Sequence, residues 1–191
     1  MRQYQVEDLI RLFNSLFRDR YQTELIAGDD EPVYLPADAT HPCHRILFAH
    51  GFFASALHEI GHWCVAGSAR RQLEDFGYWY KPDGRTPAEQ IEFERVEVRP
   101  QAYEWIFAAA AGHPFHFSAD NISGGCGPSA SFKANVRQEV RRLLAQGLNT
   151  RPQLLVEALT AFYAVSPREF EQQLPIHAGR KTVTKLSRQP A

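Results

Sequence analysis

From Ile46 to Ala66 the chain is almost continuously apolar, yet His58, Glu59 and His62 stand inside that run as His58-Glu59-Ile60-Gly61-His62. The length of the run makes its middle helical, with Gly67 as the expected cap; its first part, around Arg45 to Ala49, can instead be a strand. Side chains four apart are neighbours on a helix, so both imidazoles can converge on one ion. Glu59 lies three before His62 and can point at a metal-bound water or a substrate. Phe53, Leu57, Ile60 and Cys64 form one apolar stripe, and Ala54, Gly61, Trp63 and Val65 cover much of the rest, so the helix is expected to be buried nearly all round. Ionisable groups in such a place are costly unless they are paired or hold a metal. The bland alternative is two structural histidines and a salt-bridged glutamate.

Around this run the periodicity predicts a modest set of elements. Val6, Leu9, Ile10, Phe13, Leu16 and Phe17 fall at helical spacing over residues 5 to 20. Two short extended runs, Thr23 to Ala27 and Val33 to Leu35, flank the Gly28-Asp29-Asp30 turn. Residues 75 to 80 read as extended, and Thr86-Pro87-Ala88-Glu89 is a capping box that opens a short helix. Arg99-Pro100 is expected to break it from a second helix, Pro100 to Ala111, closed by Gly112. A Ser- and Gly-rich loop over 117 to 129 precedes helices at about 130 to 146 and 151 to 164, then a short one after Ser166-Pro167. The fold class is therefore α+β and helix-dominated: a buried, metallopeptidase-like HExxH helix, a few short strands and packed C-terminal helices. Residues 1–177 are expected to form one domain and 178–191 a polar, disordered tail.

Lys and Arg number 21 against 22 Asp and Glu, so there is no global electrostatic footprint for nucleic acid. No window reaches membrane-span length, and no signal peptide is readable. Cys43, Cys64 and Cys126 are widely spaced and odd in number, which predicts free thiols and a cytoplasmic location. A monomer is the expected state.

A metal site that keeps an open position needs a third ligand. Downstream candidates are Glu89, Glu92, Glu94, Glu97 and Glu104. Glu89 is taken by the capping box and Glu92 reads as exposed. Glu97 stands where the chain enters the next apolar helix and is the preferred ligand, with Glu94 the alternative. His50, eight before His58, would lie two turns back on the same side if the helix extends that far, and is a catalytic candidate beside Glu59. His113 and His116 read as surface groups. His41, Cys43 and His44 resemble a ligand cluster, but no second cluster completes it. Asp75, Tyr78, Trp79 and Tyr80 follow the metal helix and can line a substrate entrance, or equally pack in the core.

Three stretches carry a resemblance: Phe48 through Cys64, Asp75-Phe76-Gly77-Tyr78-Trp79-Tyr80 with Pro82-Asp83-Gly84-Arg85, and Val96-Glu97-Val98-Arg99-Pro100-Gln101-Ala102. Together with Gly28 to Asp38, they make the chain similar to the elongation factor P hydroxylase family. That resemblance implies hydroxylation of the modified lysine of elongation factor P after a β-lysyl group has been added. It also implies a non-haem Fe(2+) centre with His58, His62 and Glu97 as ligands, and molecular oxygen as co-substrate. A redox-active ion with three ligands on one face suits hydroxylation, whereas zinc in the same triad would activate water for hydrolysis. The expected activity is an iron-dependent protein-lysine hydroxylase, an oxidoreductase. A zinc metallopeptidase and a non-catalytic, metal-stabilised binding protein are the competing readings.

Overall fold

A computed structural model describes residues 3–76, 84–118 and 127–176. The first helix, α1 (Val6–Tyr21), buries Leu9, Phe13 and Phe17, the positions its 3.6-residue period selects. It ends at Gln22, which takes the left-handed conformation and donates its N–H to the Phe17 carbonyl. Three short strands follow: β1 (Thr23–Ala27), β2 (Val33–Leu35) and β3 (His44–Phe48). They form one sheet in the order β1-β3-β2, with β3 parallel to β1 and antiparallel to β2. A 3-10 turn (Ala49–Gly51) then leads into α2 (Phe53–Val65), the helix that carries HExxH. Beyond it lie a second 3-10 turn (Arg70–Gln72), α3 (Pro87–Ala111), α4 (Ala130–Gln146), α5 (Thr150–Phe162) and α6 (Pro167–Gln172). One hydrophobic cluster runs from Leu9 on α1 to Leu174 just past α6.

Three expectations need correction. The predicted break at Arg99-Pro100 does not occur; α3 is continuous for 25 residues with Pro100 inside it. Proline removes one backbone donor, here the one that would reach Val96, and crowds the preceding turn. Burial of Ala102, Tyr103 and Ile106 to Ala111 on one side of it, and of Phe93, Glu94 and Glu97 on the other, holds both halves in one helix. The expected ends are nevertheless present: the Thr86–Glu89 capping box opens α3, and Gly112, at φ 71°, closes it.

The cap of α2 also differs, since the helix ends at Val65 and not at Gly67. Its terminal carbonyls are met by arginines. Arg151, from α5, donates to the carbonyls of Trp63 (2.8 Å), Cys64 (3.3 Å) and Ala66 (2.9 Å), and Arg71 donates to Ala66 (2.6 Å). A cation at a helix C-terminus is favourable, and Arg151 also stacks on Trp63, 4.6 Å from its ring centre. Finally, α2 is not covered all round: Ala54 and Val65 are exposed, and His58, Glu59 and His62 are half-buried.

The crossing of α2 and α3 positions everything else. Gly61 faces α3 so closely that a Cβ there would sit 2.7 Å from the Pro100 carbonyl oxygen. Only a residue without a side chain permits that approach. Substituting Gly61→Ala is therefore expected to push the helices apart, destabilising the fold by about 1–3 kcal/mol, and to weaken metal binding. Thermal unfolding and elemental analysis check this; an alanine variant with unchanged stability and metal content would refute the close crossing.

Candidate metal centre

The spacing of four on α2 brings His58 Nε2 and His62 Nε2 to 3.0 Å from each other. From the facing turn of α3, Glu97 places one carboxylate oxygen 3.4 Å from His58 Nε2 and the other 3.4 Å from His62 Nε2. One donor atom from each of the three lies within 4.8 Å of the others, the only such group of three among the described residues. Glu97 is buried, and its Oε2 has no hydrogen-bond partner. An orphaned buried carboxylate oxygen, on a carboxylate that faces two imidazole nitrogens, is costly as it stands and is satisfied by a cation. The donor set, two nitrogens and a carboxylate oxygen, fits a divalent transition metal.

Glu104, weighed in the sequence only as one of five possible third ligands, has a different place. Its carboxylate lies 2.8 Å from His58 Nδ1. With Nδ1 so engaged, His58 presents Nε2 toward Glu97 and His62, the arrangement by which a carboxylate orients a ligating histidine. Glu94 is buried too, but it accepts from the Ser129 backbone N–H at 2.9 Å, at the start of α4, and so serves a helix end. Glu92 is exposed and paired with Arg95, and Glu89 closes the capping box. The buried Arg85, 3.8 Å above the Phe93 ring and bonded to Gln90, adds a positive charge felt by Glu97.

The electrostatics follow from this packing. Burial disfavours the charged form of His58, but the Glu104 hydrogen bond and the charges of Glu104, Glu97 and Glu59 outweigh it and raise its pKa well above the usual value. His62 is raised in the same contest, chiefly by Glu97. Burial would also raise Glu97, yet its contacts with His62 above all, then His58 and Arg85, hold it below the ordinary carboxylate value. Glu59 is raised, by burial first of all.

Other predicted residues lie elsewhere. Because α2 starts at Phe53, His50 is not on it; it sits in the 3-10 turn at φ 57°, exposed, 3.9 Å from Asp30. Asp75 forms a two-residue backbone bridge with Tyr34 and an ion pair with Arg70. Tyr78, Trp79, Tyr80 and Cys126 lie outside the described residues, as does the 178–191 tail. His113 packs on Tyr4 and Phe53, and His44 Nδ1 accepts the Ala37 N–H. Cys43 and Cys64 are free thiols, and burial pushes Cys64 up to about 12.

A cavity of about 200 Å³ opens beside the cluster and reaches Glu59 and His62. Its walls include Ile46, Trp63, Val65 and Pro100, with Arg70 and Asp75 also lining it. The family model described as elongation factor P hydroxylase matches residues 12–173. The chain belongs to the elongation factor P hydroxylase family. It is also 51% identical over 162 residues to the elongation factor P lysine hydroxylase of Haemophilus influenzae, covering 85% of this chain and 91% of that protein. The family match takes in all of α2 and α3, and with them His58, His62, Glu97 and Glu104. Among the described residues no helix is long and apolar enough to cross a membrane.

Two outcomes are expected. Replacing His58, His62 or Glu97 by Ala should abolish stoichiometric metal, whereas Glu104→Ala should lower metal affinity about 10- to 100-fold without emptying the site at saturation. Isothermal titration with a divalent ion on folded protein reads both; full affinity in Glu104→Ala would reduce Glu104 to a packing role.

The second concerns pH. The raised histidines keep their protons above the ordinary value of 6.5 in the metal-free protein, and an incoming cation must displace them. Metal affinity should therefore climb as pH rises through and beyond 6.5. The ion pairs stabilise the metal-free protein fully below that pH, and this contribution is lost as pH rises through the folded-state values. Melting temperatures of metal-free and metal-loaded protein across pH should diverge upward; parallel curves would contradict the coupling.

Proposed function

We propose that this chain is a non-haem iron hydroxylase that acts on the β-lysylated lysine of elongation factor P. The observation that carries the reading is the triad of half-buried His58 and His62 with buried Glu97 and its orphaned oxygen, in a member of this family. When bound there, an iron ion supplies the redox chemistry that oxygen activation requires and that zinc cannot. His58 and His62 from α2 and Glu97 from α3 would hold the ion, and the cavity beside them, which reaches His62 and Glu59, would admit the substrate side chain.

The protein's own residues then divide the work. Glu104 fixes the ring of His58, and the Gly61–Pro100 crossing sets the reach of Glu97. Glu59, whose raised pKa favours the protonated form, lies where it can hold or pass a proton beside the reacting centre. The apolar walls Ile46, Trp63, Val65 and Pro100 suit the methylene stem of a long side chain and keep water from it. Asp75, on the same cavity, offers a carboxylate to an ammonium group. The aromatics Tyr78, Trp79 and Tyr80 belong to this reading as substrate contacts. A peptidase has no support in the family or in the Haemophilus relative, whose name is that of a hydroxylase. A cytoplasmic monomer completes the reading, since the substrate is a translation factor.

The test is anaerobically prepared protein loaded with Fe(2+) and then given oxygen, modified elongation factor P and an added two-electron reductant such as ascorbate, whose electrons take the second oxygen atom to water. A mass gain of one oxygen atom on the factor is expected, dependent on both iron and oxygen. Glu59→Gln should retain metal and lose most turnover, and unmodified factor should be a poor substrate. Peptide cleavage, or equal turnover of modified and unmodified factor by intact-protein mass spectrometry, would sink the reading.

A further inference from the structure

Between α2 and α3, residues 65 to 76 combine two properties. Val65, Ala66, Gly67, Arg70, Arg71 and Asp75 all line the cavity that reaches Glu59 and His62. The same short stretch holds three of the six exposed large apolar side chains among the described residues: Val65 (37% exposed), Leu73 (64%) and Phe76 (58%). Single exposed apolar residues are ordinary on a protein surface. Here, however, Val65 lines the cavity itself, Leu73 stands two residues from both Arg71 and Asp75, which also line it, and Phe76 follows Asp75 directly. Apolar groups gathered beside a functional cleft mark contact with a partner.

The stretch is also held rigidly. Tyr34 and Asp75 exchange backbone hydrogen bonds of 2.8 and 2.9 Å, which ties the end of the segment to β2. The Tyr34 hydroxyl donates to the Arg71 carbonyl at 2.9 Å, and Arg71 in turn donates to the Ala66 carbonyl. Arg70 Nη2 donates to Asp75 Oδ1 at 3.0 Å across the same turn. Leu73 and Phe76 are thus presented to solvent by a clamped backbone, which spares a partner the entropy of ordering them.

We infer that Val65, Leu73 and Phe76 form a docking rim on which the protein that carries the reacting side chain rests an apolar surface of its own. The inference rests on the proposed hydroxylase reading, which makes the substrate a side chain borne by a folded protein. Such a side chain reaches His62 and Glu59 through the cavity only if its carrier sits against the cavity mouth, and residues 65 to 76 border that mouth. The apolar rim supplies the contact area, while the cavity selects the side chain. Leu73 and Phe76, outside the cavity lining, then serve affinity for the carrier alone, while Val65 belongs to both rim and cavity.

The experiment is steady-state hydroxylation of modified elongation factor P, with oxygen and excess two-electron reductant, by the iron-loaded full chain alongside the variants Leu73→Ser, Phe76→Ser and their combination. Phe162→Ser, which alters an equally exposed aromatic on α5 (52% exposed), is the control. The double variant is expected to raise KM about tenfold or more, since central apolar anchors dominate protein interfaces, with kcat at saturation and metal content changed less than twofold. The control should leave all three at the values of the natural chain. An unchanged KM in the double variant overturns the docking rim, and so does an equal rise in the control. A fall in kcat or metal content in the double variant also overturns it, because the segment would then be part of the site's scaffold. If the natural chain itself leaves elongation factor P unmodified, the hydroxylase reading falls first and the rim with it. A photo-crosslinking residue at position 76 gives a separate readout, with capture of elongation factor P expected there and not at position 162.

Discussion

The contact between Gly61 and the Pro100 carbonyl sets the distance on which the candidate metal centre depends. A glutamate side chain has a short reach, and Glu97 meets both imidazoles only because two backbones touch where α2 crosses α3. A bulkier residue at Gly61 would lift α3 and carry Glu97 away from both nitrogens at once. Pro100 serves the same crossing from the other side. It costs α3 one backbone hydrogen bond beside the turn that bears Glu97, and the burial of both halves of the helix offsets this.

Around that contact the protein concentrates charge inside an apolar core. His58, His62, Glu59, Glu97 and Glu104 lie together between helices whose other faces are packed with Phe, Leu, Ile and Ala. The carboxylates of Glu97, Glu104 and Glu59 favour positive charge on the imidazoles against the cost of burial, as they would favour a cation. Imidazolium and metal ion are thus alternative occupants of one electrostatic hole. Replacing the cluster with apolar groups would cost little in packing, so its place in the core is best explained by chemistry and not by stability.

Much of this was legible in the residues, and what was not shares a cause. The i, i+4 spacing of His58 and His62 is a local property of α2, readable before any neighbour is known. The strands, α1 and the Thr86 capping box were legible for the same reason. Glu97 could be ranked first only by its place at the edge of an apolar helix, because its reach depends on a contact 36 residues away in sequence. The part of Glu104 escaped, although a signal was present: Glu97, Gln101 and Glu104 fall at i, i+4 and i+7, so two carboxylates share one face of a helix that is otherwise Ala- and aromatic-rich. Reading Pro100 as a terminator broke that face in two and concealed it. Gly67 misled because the true partner of the α2 terminus, Arg151, lies on α5. Periodicity reports on a helix and its own face, and is silent about which distant side chain will meet its end.

The guanidinium of Arg151 has a consequence for the order in which the protein is made. Every proposed metal ligand, and the Glu104 that steadies one of them, has left the ribosome once residue 104 has emerged. At that moment α3 lacks the cover that Phe132, Val136, Val140 and Leu155 provide from α4 and α5, and the Trp63 and Cys64 carbonyls at the end of α2 lack Arg151. Trp105 likewise waits for the Gln173 carbonyl, to which it donates at 2.8 Å. A nascent chain therefore carries the complete set of proposed ligands well before it has the packing that holds that set in shape.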